Sequence, residues 1–409
     1  MTVVFERPYQ FVPPIKSTWW PWLIQRLRLY DYHLKRKEGV VGYELRNLDR
    51  LKSSVDQGHG ILLAPNHCRY ADPLVLGWPA RELGIHVHAM ASWHLFNEGW
   101  LDAFAIRRMG GFSVFREGND RQALEAAIEI LVEANRPLIV FPEGTTNRTN
   151  DQLKPLLDGV AFMARTAAKR RKKQFDAGPD RGSGQVVIHP VAIKYLCEGQ
   201  FECWADEQLS KFERQLGWHR MPKRSLLKRT LQLAEAQLAL KETQYLGSSQ
   251  GGPLPQRRDD LIHSILSMTE DELGLEPEDD CVRARVRQIR TVASSRFFDS
   301  PSIGSLEADL RRHVTAADLA QNLSSFPDSY LQEDDVTDTR IIETIQRLQE
   351  SINGKADHSI TLKAVVEFLP AIDVDAGRPP KGQRDPIMLR LEEELTQAIG
   401  RLAVEARKI

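Results

Sequence analysis

Short, uninterrupted apolar runs that stop at polar or glycine-bearing turns leave few folds open to this chain. GILLAPN (60–66) reads as a buried strand, GIHVHAMA (84–91) as a second, and GGFSVFR (110–116) as a turn followed by a short third. DRQALEAAIEILVEANR (120–136) changes period, with Ala123, Ala127, Ile130 and Leu131 on one side of an amphipathic helix. PLIVFPEGTTNRT (137–149) is a strand running into a glycine turn, and QVVIHPVAIKYL (185–196) is a strand pair or one bent strand. Strands that alternate with helices imply an α/β sheet covered by helices.

The texture changes after Cys203. SLLKRTLQLAEAQLALKE (225–242) carries Leu227, Leu231, Ala234 and Leu238 on one helical stripe, GSSQGGPLPQ (247–256) is a break, and further helices are predicted at 305–323 and 339–352. No clear strand is legible from about 205 to 358. TLKAVVEFLPAIDV (361–374) is strand-like again, and residues 385–407 form a well-signalled helix with Asp385 as cap, Pro386 in the first turn and Ile387, Leu391, Leu395, Ile399 and Leu402 as its stripe. The expected organisation is an amphipathic N-terminal segment (1–40), one α/β domain built from 41–204 and 359–409, and an α-helical insertion (205–358).

Composition narrows the function classes. A length of 409 residues suits two domains or one domain with a large insertion, and a net charge of −1 offers no whole-chain basic field for nucleic acid. The four cysteines, Cys68, Cys197, Cys203 and Cys281, form no CxxC pair or regular framework, which fits free thiols in a reducing compartment. Glu6 and Arg7 stand where a signal peptide needs an apolar core, and no stretch approaches the ~18 apolar residues of a spanning helix. Membrane contact is therefore expected to be peripheral, on a cytoplasmic face. Trp19, Trp20 and Trp22 sit beside Leu23, Ile24, Leu27 and Leu29, with Arg26, Arg28, Lys35, Arg36 and Lys37 among or just after them. Such a cluster either docks at a headgroup boundary or packs on its own domain. Six of the nine residues from Arg165 to Lys173 are basic, giving a solvated helix end or a contact for anionic headgroups or a polyanionic co-substrate.

Three motifs carry chemistry. In NHCRYADPL (66–74), His67 follows a strand end and can take a proton from a hydroxyl, and Asp72, five positions on, can fold back to fix its tautomer. In FPEGTTNR (141–148), a Pro-Glu-Gly turn leaves backbone N–H groups for an anion or oxyanion, with Glu143 at the sheet edge and Arg148 available to a phosphate. Arg116 closes an apolar strand and suits bidentate phosphate binding. Each has a plainer reading, respectively a structural histidine, an ordinary turn and a surface ion pair.

Taken together and in this order, NHCRYAD, GGFSVFR and FPEGT resemble the glycerolipid acyltransferase family, the glycerol-3-phosphate and lysophosphatidate (1-acyl-glycerol-3-phosphate) acyltransferases. VIHPVAIKY, with Pro190, resembles a fourth family motif. The resemblance covers about residues 40–200 and implies a mixed central sheet flanked by helices. It also implies that His67, oriented by Asp72, deprotonates an acceptor hydroxyl that attacks the thioester of acyl-CoA or acyl carrier protein directly. Arg116, Glu143, Gly144, Thr145 and Arg148 would bind the acceptor's phosphate or polar end. No metal or bound cofactor is implied, and the oligomeric state is unspecified. The implied partners are the acyl-thioester donor, a glycerol phosphate or lysolipid acceptor, and a membrane surface.

The chain departs from the family pattern where Thr146 and Asn147 intervene before Arg148, and where Asp158 stands before the glycine of LKPLLDGVAFMA (153–164). Both positions touch the acceptor side, so a lysophospholipid or other polar lipid competes with glycerol phosphate as acceptor. A thioesterase and a non-catalytic membrane scaffold complete the alternatives. SWHLFNEGWLDAFAIRRM (92–109) is expected to line an acyl groove or to pack in the core. GSSQG (247–251) matches a nucleophile elbow but lacks the preceding strand, and His86 and His88 lack a third metal ligand.

Overall fold

In the computed structural model, which describes residues 3, 5–118, 120–176, 184–219, 223–277, 279–299, 304–332, 334–377 and 382–409, an eight-stranded mixed sheet organises the chain. The strands are β1 (Val40–Arg46), β2 (Gly60–Pro65), β3 (His88–Ser92), β4 (Gly111–Val114), β5 (Leu138–Ile139), β6 (Val186–Cys197), β7 (Leu362–Phe368) and β8 (Ile372–Asp373). Their order is β1-β7-β6-β2-β5-β3-β4, with β8 also paired to β6. Only the β6–β7 and β6–β8 pairs are antiparallel.

β2 shows why a continuous apolar run is needed here. All six of its residues are buried. Ile61 and Leu63 enter a core shared with Leu51, Trp204 and Ile341, whereas Leu62 and Ala64 enter a second core with Ala123, Ala127, Leu131 and Ala164. A strand paired on both edges and covered on both faces has no polar side to show, so its period of two is hidden in the sequence. The helix Arg121–Glu133 covers one face, capped by Asp120, whose carboxylate accepts from Ala123 N at 2.9 Å.

The segment expected to be a strand pair or bent strand is the single twelve-residue β6. Its Pro190 is tolerated in mid-sheet because of where its missing N–H would point. Residues 191 and 193 turn their backbone toward the β2 side, so Pro190 faces the other edge, where β8 reaches only Val187 and Ile188 and β7 begins at Val191.

Three strand readings shift. GIHVHAMA yields a strand only from His88 onward, PLIVF is a named strand only at Leu138–Ile139, and β1 with its following helix Leu48–Asp56 comes before the first strand read from sequence. The chain returns to the sheet after the helical part. β7 inserts between β1 and β6, and the C-terminal helix Pro386–Ala403 is capped by Asp385, which accepts from Ile387 N at 2.9 Å.

Between β6 and β7 the described residues form helices and no strand. These helices divide in two. Phe201–Gln215 and Asp338–Asn353 bury Phe201, Leu209, Phe212, Ile341 and Ile345 in the sheet's own core. Leu254–Leu273, Val282–Asp299 and Gly304–Leu323 build a separate cluster around Leu261, Ile265, Ile289 and Val314, joined by Val3 and Phe5 from the N-terminus. The GSSQG segment is the turn after the helix Leu226–Leu246, with Gly247 left-handed at φ +82°.

Of the basic run, Arg165 pairs with Asp385, Arg170 with Glu125, and Arg171 is buried with its guanidinium on the carbonyls of Gly58, Val132 and Gln185. These cations serve the domain's own packing. Lys169, Lys172 and Lys173 of the run are exposed, and residues 177–183 of the following segment lie outside the described residues.

Candidate active site

The carboxyl ends of β2, β4 and β5 lie along one edge of the sheet, and each motif follows one of these strands. Where β2 ends, Asn66 replaces the strand's pairing with its side chain. Its Nδ2 donates to Ile193 O at 3.0 Å and its Oδ1 accepts from Ile193 N at 2.7 Å. Asn150, in the loop after β5, makes the same clamp two residues further along β6, on Tyr195 O at 2.6 Å and Tyr195 N at 2.9 Å. Two side-chain amides thus anchor both motif loops to one strand.

Between these anchors sits His67, 8% exposed, its ring stacked on Phe141 at 3.9 Å. Nδ1 lies 2.9 Å from Asp72 Oδ2. A carboxylate only accepts, so Nδ1 carries the proton and Nε2 holds the free lone pair. Asp72 is fully buried and opens a four-residue helix with Pro73 in its first turn. Arg69 N at 2.9 Å and Tyr195 Oη at 2.6 Å donate to its two oxygens. The dyad read from the H-x4-D spacing is therefore formed and held on every side.

Nε2 is not vacant. The hydroxyl of Thr146 lies 3.1 Å from it. Thr146 entered the sequence reading only as a departure from the family pattern, and no local spacing signals a pairing across 79 positions.

Glu143 is fully buried and turned inward. It accepts from His67 N at 2.7 Å, Asn147 Nδ2 at 2.8 Å and Lys154 N at 2.9 Å. Burial raises its carboxyl to about 7 despite the three donors. Its visible task is to tie the two loops together, with Asn147 N adding a bond to His67 O at 2.7 Å. Lys154 is lowered to about 8, chiefly by burial, and its ammonium donates to Ser325 Oγ at 2.8 Å. Gly144 takes φ +71°, which glycine adopts without strain, and its N–H closes the turn onto Phe141 O at 3.1 Å.

The remaining acceptor-side residues differ in occupation. Thr145 Oγ1 accepts from Gln321 Nε2 at 3.3 Å. Arg148 lies over the Tyr70 ring at 4.7 Å and pairs with Glu350 of the helix Asp338–Asn353. Arg116, after β4, has neither hydrogen bond nor ion pair among the described residues. Burial lowers its guanidinium, an adjacent Arg290 lowers it further, and Glu117 and Tyr70 oppose. A half-buried cation without a protein partner is available to an anion.

Cys68 is buried beside Asp72 with its thiol raised well above the ordinary value, first by burial, so it supplies no thiolate. Among the described residues no group of three or more histidine, cysteine or acidic side chains is arranged to hold a metal ion.

The segment 92–109 divides. Trp93 and Phe96 are buried, but the helix Trp100–Arg108 buries none of its residues, leaving Trp100 77% and Leu101 60% exposed. This corrects the expectation that the whole segment packs in the core. The helix meets the N-terminal aromatic cluster instead. Trp20 packs edge-on against Phe104 at 5.2 Å, and Arg108 lies over both rings. With Trp19, Trp22, Leu27 and Leu29 also exposed, two distant segments form one aromatic surface edged by cations. No helix among the described residues is long and apolar enough to cross a membrane.

Residues 43–194 match the family described as Acyltransferase. No curated protein matches the chain.

Proposed function

We propose, for a chain whose residues 43–194 belong to the glycerolipid acyltransferase family, that it moves a fatty acyl group from an acyl thioester, acyl-CoA or acyl carrier protein, to the hydroxyl of a glycerol phosphate or lysophosphatidate-type acceptor in phospholipid synthesis. His67 is the general base. The observation that carries this reading is the hydroxyl on its free nitrogen. With Nδ1 committed to Asp72, Nε2 is the proton acceptor, and the Thr146 contact gives the place a hydroxyl takes when it surrenders its proton. A thioester is already activated, so a positioned hydroxyl and one base supply most of what the reaction needs.

Arg116 supports an anionic acceptor. It is the arginine of the three motifs that has no protein partner among the described residues, whereas Arg148 is engaged by Glu350. In this reading Arg116 holds the acceptor's phosphate, and Arg148, Thr145, Gly144 and Glu143 shape the loop around it. The exposed aromatic surface supports delivery of the acceptor from a membrane, with Trp19, Trp22 and Trp100 at the headgroup boundary and Arg108 beside them.

The test is product mass spectrometry with acyl-CoA and acyl carrier protein donors and a panel of glycerol 3-phosphate, lysophosphatidate and neutral or zwitterionic lysolipids. Arg116→Ala is expected to raise KM for the phosphomonoester acceptors at least tenfold and to leave the donor KM unchanged. Equal KM values in both proteins would remove Arg116 from the acceptor site, and free fatty acid as the sole product would make the protein a thioesterase. Trp100→Ser with Trp22→Ser is expected to reduce co-flotation with anionic vesicles, and undiminished flotation would refute the membrane surface.

A further inference from the structure

The helical insertion contains a cavity to which the acyl-transfer reading gives no task. It lies among the helices Leu226–Leu246, Leu254–Leu273, Gly304–Leu323 and Asp338–Asn353, and no residue of the three motifs lines it. Its volume is about 270 Å³, close to the lower end of the ~300–1,000 Å³ common for small-molecule sites. Leu231, Leu238, Leu254, Leu323, Leu331 and Leu348 make up much of its wall. An occupant of that wall is apolar over most of its length, and the volume suits one acyl chain rather than two.

One lining residue departs from that apolar wall. Arg347 is 7% exposed, lies over the Phe326 ring at 3.8 Å and donates through Nη1 to Ser325 O at 2.6 Å. Its Nε and Nη2 donate to no group among the described residues. Those two nitrogens form one of the edges with which a guanidinium grips a carboxylate bidentately. Buried polar groups are as a rule paired, so an unpaired edge on a buried cation calls for a partner. Burial lowers this guanidinium to about 10, and Glu343 and Glu350 favour its charge without bonding to it. Two further cations, Lys241 and Arg258, line the same cavity, against one carboxylate, Asp328, which pairs with Arg258. The charge left over is positive and complements an anionic head.

We infer that this cavity is a second lipid site, which binds a free fatty carboxylate with its chain along the leucine wall and its carboxylate on Arg347. A neutral chain would leave Arg347 unpaired, and a carboxylate matches its free edge. Binding there does not depend on the acyl-transfer reading, but the site is joined to the loop after β5. Tyr330 lines the cavity, and its Oη accepts from Asn150 N at 3.1 Å. Ser325, whose carbonyl takes Arg347, accepts through Oγ from Lys154 at 2.8 Å. A ligand that engages Arg347 therefore bears on residues that hold the loop of Glu143 and Thr146.

The experiment uses the full chain and a photoreactive laurate analogue with a diazirine on its chain. After irradiation and digestion, mass spectrometry is expected to place the adducts on peptides from 226–246 and 339–352. Unlabelled laurate is expected to compete about tenfold better than dodecanol, which has the chain without the charge. Arg347→Gln is expected to weaken competition by laurate about tenfold. Leu231→Trp, run beside it, fills the cavity and leaves Arg347 in place, so it is expected to abolish these adducts in a chain that melts as the wild type does. Adducts confined to 60–75 and 110–148 would place the fatty acid at the acyl-transfer motifs and overturn the inference. Equal competition by dodecanol, or wild-type adducts that laurate does not displace, would also overturn it. Lysophosphatidate competing as well as laurate would reassign the cavity to a phosphate head and overturn the carboxylate.

Discussion

The two loops that meet at the site are held in different ways. The loop after β2, residues 66–72, is secured by near neighbours and by β6: Asn66 on Ile193, Asp72 on Arg69 N and on Tyr195. The loop after β5, residues 141–154, is gripped from the helical insertion. Arg283 donates to Pro155 O at 2.8 Å, Gln321 to Thr145, Lys154 to Ser325, and Tyr330 Oη accepts from Asn150 N at 3.1 Å. The Asp151 side chain, 1% exposed, joins buried Lys194 of β6 to Arg340 of the insertion. Both loops are clamped to β6, through Asn66 and Asn150, and Arg69 of the first also reaches Gln346. The loop that carries Thr146, however, takes most of its long-range contacts from residues 128 to 189 positions away. Chemistry and its partner loop can be disturbed separately.

The largest effect is expected from the sheet side. Asp72→Asn retains one set of hydrogen bonds but removes the charge that stabilises the imidazolium, so kcat should fall ~10²–10⁴-fold with the melting temperature nearly unchanged. A stopped assay together with a thermal melt separates the two, and equal losses of fold and activity would erase the contrast.

Asp151→Ala attacks the other loop. It leaves Lys194 buried without its carboxylate, a loss of about 3–5 kcal/mol measurable by urea unfolding. A change below about 1 kcal/mol would mean that the insertion does not hold this loop.

Glu143 ties the loops together and gives the comparison a pH dependence. Its carboxyl is raised from an ordinary 4.5 to about 7, first by burial. The folded chain therefore keeps a proton that the unfolded chain has already released. The stability from this group is fully present below about 4.5 and is lost as pH rises to about 7, by about 3 kcal/mol across that window. Glu143→Gln should flatten that part of the unfolding profile, whereas a slope unchanged by the substitution would locate the titration elsewhere.

The smallest effect is expected at the partly exposed latch. Glu350→Gln releases Arg148 and should cost no more than about 1 kcal/mol. If Arg148 then joins the phosphate site, the acceptor KM should fall slightly, and a large rise would assign Glu350 a direct part in binding.

The same contrast explains what could be read from the sequence. His67 and Asp72 were legible because their geometry needs only a strand end and one turn. The buried strands were legible because β2 is apolar throughout and β6 and β7 carry runs of Val, Ala and Ile interrupted by only a few polar residues. β1 was not, since VVGYELR leaves most of its residues half-buried at an edge and interrupts its apolar run with glycine. Burial of the Trp100–Arg108 helix was not legible from its aromatic content, since large apolar side chains also occur on surfaces. Thr146 and the clamp by Arg340 could not be found by spacing at all. The first is a contact between the loops after β2 and β5, and the second exists because the insertion folds back over the loop.

The central claim is that His67, set by Asp72, takes the proton of the hydroxyl that receives the acyl group. The most direct measurement is product mass spectrometry on wild type and His67→Ala with the same donor and acceptor, alongside a melt that confirms both are folded. The account predicts acylated product from the wild type and a loss of at least ~10²-fold in the variant. Undiminished product from a folded His67→Ala would contradict it.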